Sequence, residues 1–428
     1  MMRIAWIGGV SNGGGVGGIG ALTLCSVLQL GIQVDYYRSS EPVPDYLLEY
    51  PNLNVINTES WWSWDKWYSS NPFRAFISST VARTQCYNEL CTKLIKYHAD
   101  KSYDCIFQFS QPELFRLGKN LDKLPPIVVY PCVHAGGEYY WHGQESQYAL
   151  QVEPYFKHYL TRCFLGYRTW FQQRELKKPT MIIGMSHRFN DLISKDYRIK
   201  SDRQRVLYHP IRSQDEEVIQ KSDLAAKERK IIKLLFVSRM SVRKGLQYII
   251  ELSHRLDDLA GQVEINLIGG STQWSDYSGH LKDLNPKTAK YIKSMNRIEL
   301  AEAYSNADAL LIPSVYEPGG IVVGEAVSHG LCVVASDAIG SAEVLEGNII
   351  REFPAGDMDR FEQEVRKLIA DLNVDRQSLR SEARDQCEKH FLPSDVAKTL
   401  IEYLQEASEG HSRVISLPQQ NKVDYVTQ

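Results

Sequence analysis

Ala309-Leu310-Leu311-Ile312-Pro313-Ser314-Val315-Tyr316-Glu317-Pro318-Gly319-Gly320-Ile321-Val322-Val323-Gly324-Glu325 reads as a short strand, a turn rich in proline and glycine, and a helix that the turn opens. A strand with no polar position has no face to offer to water, which points to a parallel sheet covered by helices on both sides. The same grammar continues outward. Lys233–Val237, Glu264–Ile268 and Leu331–Ala335 are further apolar runs, with amphipathic stretches such as Gly245–Leu259 between them. The amino-terminal half repeats it with Arg3–Gly9, Gln33–Tyr37, Asp104–Phe107, Ile127–Tyr130 and Met181–Gly184. The fold class expected is therefore α/β, with two doubly wound Rossmann-like domains facing across a cleft.

Between the two series, residues 211–230 lose apolar periodicity and are rich in charge and Gln, as an interdomain linker would be. The expected organisation is an acceptor-side domain at 1–210, the linker at 211–230 and a nucleotide-binding domain at 231–391. A last helix at 392–407 is expected to pack back on the first domain, before a mobile polar tail at 408–428.

With 428 residues, 43% hydrophobic and 24% charged, the chain can bury two large cores, and its net charge of −3 gives no whole-chain attraction to nucleic acid. The eight cysteines make no C-x-x-C pair and several lie in apolar runs, so they read as buried small hydrophobes in a reducing compartment, not as a metal cage. The uncharged stretch from Ile4 to Val34 is interrupted by glycines, Ser11, Asn12, Gln29 and Gln33, too often for an export core or a membrane span. A cytoplasmic location is expected, with peripheral contact at the inner membrane face left open.

Three stretches carry chemistry. Gly8–Gly20 follows the first strand and opens an apolar helix, so backbone amides there can approach an anion closely. Gly15–Gly20 also satisfies G-x-G-x-x-G, with Asp35 at the end of the next strand in place for a ribose, which keeps a NAD-dependent oxidoreductase as a rival. After Lys233–Val237 come Arg239, Arg243, Lys244 and Gly245, cations able to neutralise a leaving diphosphate without a metal ion. Finally, Glu317 precedes the turn Pro318-Gly319-Gly320, and Glu325 lies about one and a half turns into the helix.

Read through to Ala326-Val327-Ser328-His329-Gly330, this last stretch resembles the Glu-x7-Glu motif of the retaining GT-B glycosyltransferases of glycosyltransferase family 4. Glu299–Asp308 before it, and Ser336-Asp337 with Gly340 and Glu343 after it, are similar to that family too. The resemblance implies transfer of a sugar from a nucleotide-diphosphate sugar to a glycan, lipid-linked glycan or small-molecule hydroxyl, with retained anomeric configuration and no metal or other cofactor. It places Arg239 and Lys244 on the diphosphate, with amides of Gly319, Gly320 and Ile321 and of Gly17 and Gly18 assisting. Glu325 would take the donor ribose, Glu317 the sugar hydroxyls, and His134, after the strand Val128–Tyr130, the sugar from the opposite wall. Ile182–Ser186 and Val206–Ile211 look like the family's approach to the linker, although Ile211-Arg212-Ser213-Gln214-Asp215 and Gly269-Gly270-Ser271-Thr272 depart from its usual pattern. Those departures bear on sugar and base selectivity, and nothing in the sequence indicates the oligomeric state.

A second rival is a catalytically silent nucleotide- or glycan-binding protein, which the intact set of cations and carboxylates argues against. Trp61–Tyr68 packs five aromatics into eight residues, as an acceptor groove, a lipid anchor or a packed loop would. Between Lys157 and Arg212, thirteen Lys or Arg face four Asp or Glu, a basic excess that suits a solvated surface or a membrane-facing patch equally. Asp357-Met358-Asp359 spells D-x-D, but its place at the start of a helix makes Asp357 a cap.

Overall fold

The computed structural model describes residues 2–12, 15–38, 42–57, 83–110, 124–270 and 277–416. The Trp61–Tyr68 cluster, Gly13, Gly14, Ser271, Thr272 and everything past residue 416 lie outside them. One sheet has seven strands, β1 (Arg3–Ile7), β2 (Gln33–Arg38), β3 (Leu53–Asn57), β4 (Cys105–Ser110), β5 (Ile127–Pro131), β6 (Met181–Gly184) and β7 (Gln204–Val206), in the order β3-β2-β1-β4-β5-β6-β7. The other has six, β8 (Ile232–Val237), β9 (Val263–Ile268), β10 (Ala289–Ile292), β11 (Ala309–Ile312), β12 (Cys332–Ser336) and β13 (Ile350–Phe353), in the order β10-β9-β8-β11-β12-β13. Every ladder is parallel. The interior strands β5, β6 and β11 are buried at every residue, which is why they read as unbroken apolar runs, and β4 and β12 are as fully buried with Gln108, Ser110 and Ser336 among their residues.

The helices that cover these sheets are α1 (Val16–Gln29), α2 (Arg83–Asp100), α3 (Ala135–Gln144), α4 (Tyr155–Glu175), α5 (His187–Tyr197), α6 (Glu216–Glu228), α7 (Leu246–Arg255), α8 (Arg297–Ser305), α9 (Ile321–Ser328), α10 (Met358–Phe391) and α11 (Pro393–Ser416). The stretch expected to be a linker thus contains a helix, α6. Its periodicity was invisible because polar groups hold it. Ser222 donates to the Ser305 carbonyl at 2.7 Å, and Asp223 accepts from Arg380 Nε at 2.8 Å and Arg384 Nη2 at 2.7 Å. Asp357 caps α10, accepting from the Arg360 amide at 2.9 Å. α11 returns to the first domain, where Leu400 and Leu404 join its core, and it continues past the expected end at Ala407 to Ser416.

In both sheets the strand order reverses beside the first strand of the domain, between β1 and β4 and between β8 and β11, and crevices open outside the carboxyl ends of strands at such points. The two crevices are held in register by polar contacts between the domains. Ser186 Oγ donates to the Pro318 carbonyl at 2.7 Å. Glu343 from the second domain accepts the His187 amide at 2.6 Å, the Arg188 amide at 3.1 Å and the Tyr208 hydroxyl at 2.7 Å. A carboxylate at the first turn of α5 offsets the positive end of the helix as well as satisfying its amides.

Removing that acceptor leaves three donors without their partner. Glu343→Ala should lower the unfolding free energy by about 1–3 kcal/mol. Glu343→Gln, which keeps one acceptor oxygen, should lose less, and urea unfolding of the two variants separates them.

Candidate active site

The loops that follow β8 and β11 flank the reversal point of the second sheet, and they are stitched together. The Val315 amide donates to the Arg243 carbonyl at 3.0 Å, and Arg243 Nη1 donates to the Tyr316 carbonyl at 3.1 Å. Gly245 has φ 84°, and a Cβ there would lie 2.3 Å from the Pro313 carbonyl oxygen. Only glycine closes this contact. Ser241 caps the turn Val242–Lys244 by accepting the Lys244 amide at 3.3 Å.

This stitching brings Arg243 and Lys244 to Glu317, with Arg239 close enough to act on Lys244. Lys244 Nζ is ion-paired with the Glu317 carboxylate, and Arg243 Nη1 lies 3.8 Å from it. Burial first, and then repulsion from Arg243 and Arg239, push the Lys244 ammonium well below its ordinary pKa, while Glu138 from the other domain opposes them. Two cations share the Glu317 carboxylate, an arrangement in which an anionic ligand can compete for them.

Beyond Glu317 the chain forms the turn that starts α9. The Glu317 carbonyl accepts the Gly340 amide at 3.0 Å and the Gly319 carbonyl the Ser341 amide at 2.7 Å. Gly319 also packs under the first domain, since a Cβ there would come 2.6 Å from Met185 Sδ. Ile321, the first residue of α9, packs against the cores of both domains. Farther along α9, Glu325 Oε2 accepts the hydroxyl of buried Tyr304 at 3.0 Å. Burial raises the Glu325 pKa, against smaller opposing effects of Tyr304 and Arg297.

The glycine loop of the first domain approaches the same region. Gly17 and Gly18 occupy the first turn of α1, and Arg297 Nη1 of α8 donates to the Asn12 carbonyl at 3.4 Å. Gly20 serves packing, because a Cβ there would come 2.1 Å from the Gly9 carbonyl oxygen. Asp35, the acid a dinucleotide would need, is buried. It is ion-paired with Arg3, accepts the Tyr103 hydroxyl at 2.6 Å and accepts Asn54 Nδ2 at 3.1 Å. Both of its oxygens are engaged within the core, which removes the support for the nicotinamide reading.

His134 is brought to the domain boundary, but its ring is turned to protein. Nδ1 lies 2.5 Å from the Tyr316 hydroxyl and Nε2 lies 3.2 Å from Asp196 Oδ2. Burial lowers its pKa to about 4, with Asp196 and Glu138 pulling the other way, so the ring is neutral near pH 7. The ring of Tyr316 lies against Gly137, where a Cβ would fall 1.9 Å from Cζ. Sequence reasoning passed over Tyr316, Glu138 and Asp196. Glu138 follows His134 by four residues, one helical turn, and Tyr316 directly precedes the motif acid, so both were adjacent to signals already in hand.

Among the described residues, one trio of metal-capable side chains lies together, His142, Glu153 and His158. The two rings stack at 4.2 Å with 17° between their planes, so one ion cannot lie in both planes without a ring turning. His158 is also engaged on both sides, Nδ1 with Glu153 at 2.7 Å and Nε2 with Ser146 Oγ at 3.0 Å.

Comparison with known proteins agrees with this geometry. Residues 215–386 match the family described as Glycosyl transferases group 1, the match beginning where α6 begins. An uncharacterized glycosyltransferase of Methanocaldococcus jannaschii is 26% identical over 247 residues, 54% of this chain and 61% of that protein. The chain thus spans about three-fifths of the length of this relative. The solved sucrose-phosphate synthase of Thermosynechococcus elongatus superposes with a TM-score of 0.67 at 18% identity, covering 96% of this chain and all of that one. HepE of Anabaena, solved in complex with UDP-glucose, superposes with a TM-score of 0.60 at 16% identity, covering 95% of this chain and 100% of that one. The chain therefore has the GT-B fold, two Rossmann-like lobes across a cleft, and carries a Glycosyl transferases group 1 domain over residues 215–386.

Proposed function

We propose that the protein is a metal-independent, retaining glycosyltransferase that moves a hexose from a nucleotide-diphosphate sugar to a hydroxyl of a glycan, lipid-linked glycan or small molecule. The observation that carries this reading is the convergence of Arg243 and Lys244 on Glu317, which opens the glycine turn, at the reversal point of the second sheet, with Arg239 close enough to act on Lys244. That Anabaena HepE was solved with UDP-glucose makes a UDP-sugar the first donor to test.

The barrier in such a transfer is cleavage of the bond between the anomeric carbon and the phosphate oxygen, as positive charge grows on the sugar and negative charge on the diphosphate. Contacts that strengthen with that charge accelerate the step. Arg239 and Lys244 hold the departing phosphates, aided by amides of Gly319, Gly320 and Ile321 and of Gly17 and Gly18. Binding of the diphosphate takes Lys244 away from Glu317, whose carboxylate then orients the sugar hydroxyls. The acceptor oxygen attacks on the face the phosphate leaves, its proton passes to the departing phosphate oxygen, and configuration is retained without an enzymic nucleophile. His134 acts in this scheme through Tyr316, fixing the start of the acid loop, and reaches the sugar only if that hydroxyl moves aside. Glu325 accepts the ribose hydroxyls, and closure of the lobes keeps out water.

In a thermal-shift panel of UDP, GDP, ADP and their sugars, the true nucleotide at about 100 times its Kd should stabilise the protein by about 2.7 kcal/mol. Glu317→Ala and Lys244→Ala should each lower turnover by about 10²-fold or more. Turnover should be unchanged by a chelator. Near-normal transfer in either variant would exclude that residue from the chemistry, and strict dependence on a divalent ion would overturn the cationic clamp.

A pH series tests Glu325 separately. Its raised pKa means that protonation competes with ribose binding at a higher pH than for an ordinary carboxylate. Donor affinity should fall about tenfold per pH unit once the pH drops below that value. Glu325→Gln should bind weakly but without that acid limb, and an unchanged profile would remove Glu325 from the ribose.

A further inference from the structure

Helix α4 exposes rings while burying several polar side chains. Beside Phe164 and Leu165, its buried residues are His158, Thr161, Gln172 and Glu175, while Tyr155, Tyr159, Cys163, Tyr167, Trp170 and Arg174 are exposed. Their spacing of three or four residues puts them on one stripe along the helix. The rings stand far out, Tyr155 at 72%, Tyr159 at 56% and Trp170 at 54% exposure, and Phe156 beside them at 71%. The buried polar groups are engaged. Gln172 accepts the Ala135 amide at 2.7 Å and donates to the Val133 carbonyl at 2.6 Å, and Glu175 pairs with Lys178 at 2.8 Å. A helix facing only water carries charged residues where this one carries rings.

The one acid of the helix, Glu175, is buried against Lys178; of its basic residues Lys157 and Arg162 are half-buried, Arg168 is paired with Glu138 at 3.0 Å, and Arg174 is exposed. Lys177 follows at the same end, exposed, and Arg203 donates to its carbonyl at 3.4 Å, extending the basic end of the stripe. The ring chemistry is that of a boundary layer, because Tyr and Trp offer an apolar body with a polar tip, and a hydrocarbon-facing surface would carry Leu and Ile instead. A second copy meeting this face through a twofold axis would set basic end residues against a surface of the same sign. Anionic headgroups complement the cations and accept the rings at once. Among the described residues no helix is long and apolar enough to cross a membrane.

We propose that the exposed stripe of α4, Tyr155, Tyr159, Tyr167 and Trp170 with the basic residues at its ends, is a docking surface for an anionic lipid bilayer. The helix lies flat, its rings at headgroup depth, and holds the first domain against the membrane.

Cys163 supplies the reporter, since it is the exposed cysteine of the eight while Cys132 is half-buried and the rest are buried. The full chain, labelled there with an environment-sensitive maleimide, should show a blue shift on adding phosphatidylglycerol vesicles at low salt, and the unlabelled chain should sediment with them. Partition into phosphatidylcholine vesicles should be at least about tenfold weaker, and salt should narrow the difference. The double variant Tyr159→Ser, Trp170→Ser should lose about tenfold or more in partition. Arg174→Glu with Lys177→Glu should abolish the preference for anionic lipid. Both should keep the parent melting temperature, as exposed substitutions do. Failure of the unlabelled parent to sediment with anionic vesicles would overturn the proposal, as would partition indifferent to the ring variant. A concentration-dependent dimer that the ring variant dissolves would assign the stripe to a second copy and equally overturn it.

Discussion

The close approach of Gly245 to the Pro313 carbonyl is the constraint on which the site depends. With any side chain at 245 the loop after β8 would stand away from the loop after β11, and the cations would no longer reach the carboxylate. Backbone contact, not the ion pair itself, therefore sets the site. The pair between Lys244 and Glu317 is a consequence, with the Arg243 guanidinium 3.8 Å from the same carboxylate. Under the proposed function, a diphosphate would bind here by exchange. The anion would take Lys244, which is already desolvated, and release a carboxylate that is already placed, so little reorganisation would remain for the moment of reaction.

The sequence was readable where burial is symmetrical. Nine strands were recognised, and the four passed over are β3, β7, β10 and β13, the two edges of each sheet. Leu53–Asn57, Gln204–Val206, Ala289–Ile292 and Ile350–Phe353 mix polar with apolar residues because one side of each is open, and a search for continuous apolar runs misses them. Helix α6 escaped for a related reason. Its anchorage to α10 runs through Asp223, Arg380 and Arg384, and hydrophobic periodicity does not register hydrogen bonds.

The candidate site was legible in its local parts and not in its long-range ones. Glu317, Glu325, the glycine turn and the cations stand close to one another in the chain or at recognisable strand ends, so spacing alone brings them forward. His134 meets Tyr316 across 182 residues, and no periodicity encodes that. The same holds for Asp35, whose position invited a ribose but whose partners, Arg3 and Tyr103, close it off inside the core. The stripe on α4 shows the opposite case. Its basic excess was evident in the sequence, but only the structure separates exposed rings from buried polar groups.

The contacts between the lobes fall on consecutive residues of the acid loop, and this has a mechanical consequence. Tyr316 is held by His134, Pro318 by Ser186, and Gly319 lies under Met185, while Glu317 between them points to Lys244. Glu343, on the same lobe, grips the first turn of α5, whose preceding residue is Ser186. A rotation of one lobe against the other cannot be absorbed in a flexible joint at this place, because the residues on either side of Glu317 are fixed to the opposite lobe. Opening would break the bonds of Tyr316 and Pro318 together, while the ties of the loop within its own lobe, Val315 to Arg243 and Gly340 to Glu317, would remain. Glu317 itself keeps its place beside Lys244 through contacts of its own lobe, and the bonds of Tyr316 and Pro318 join that place to the approach of the other lobe.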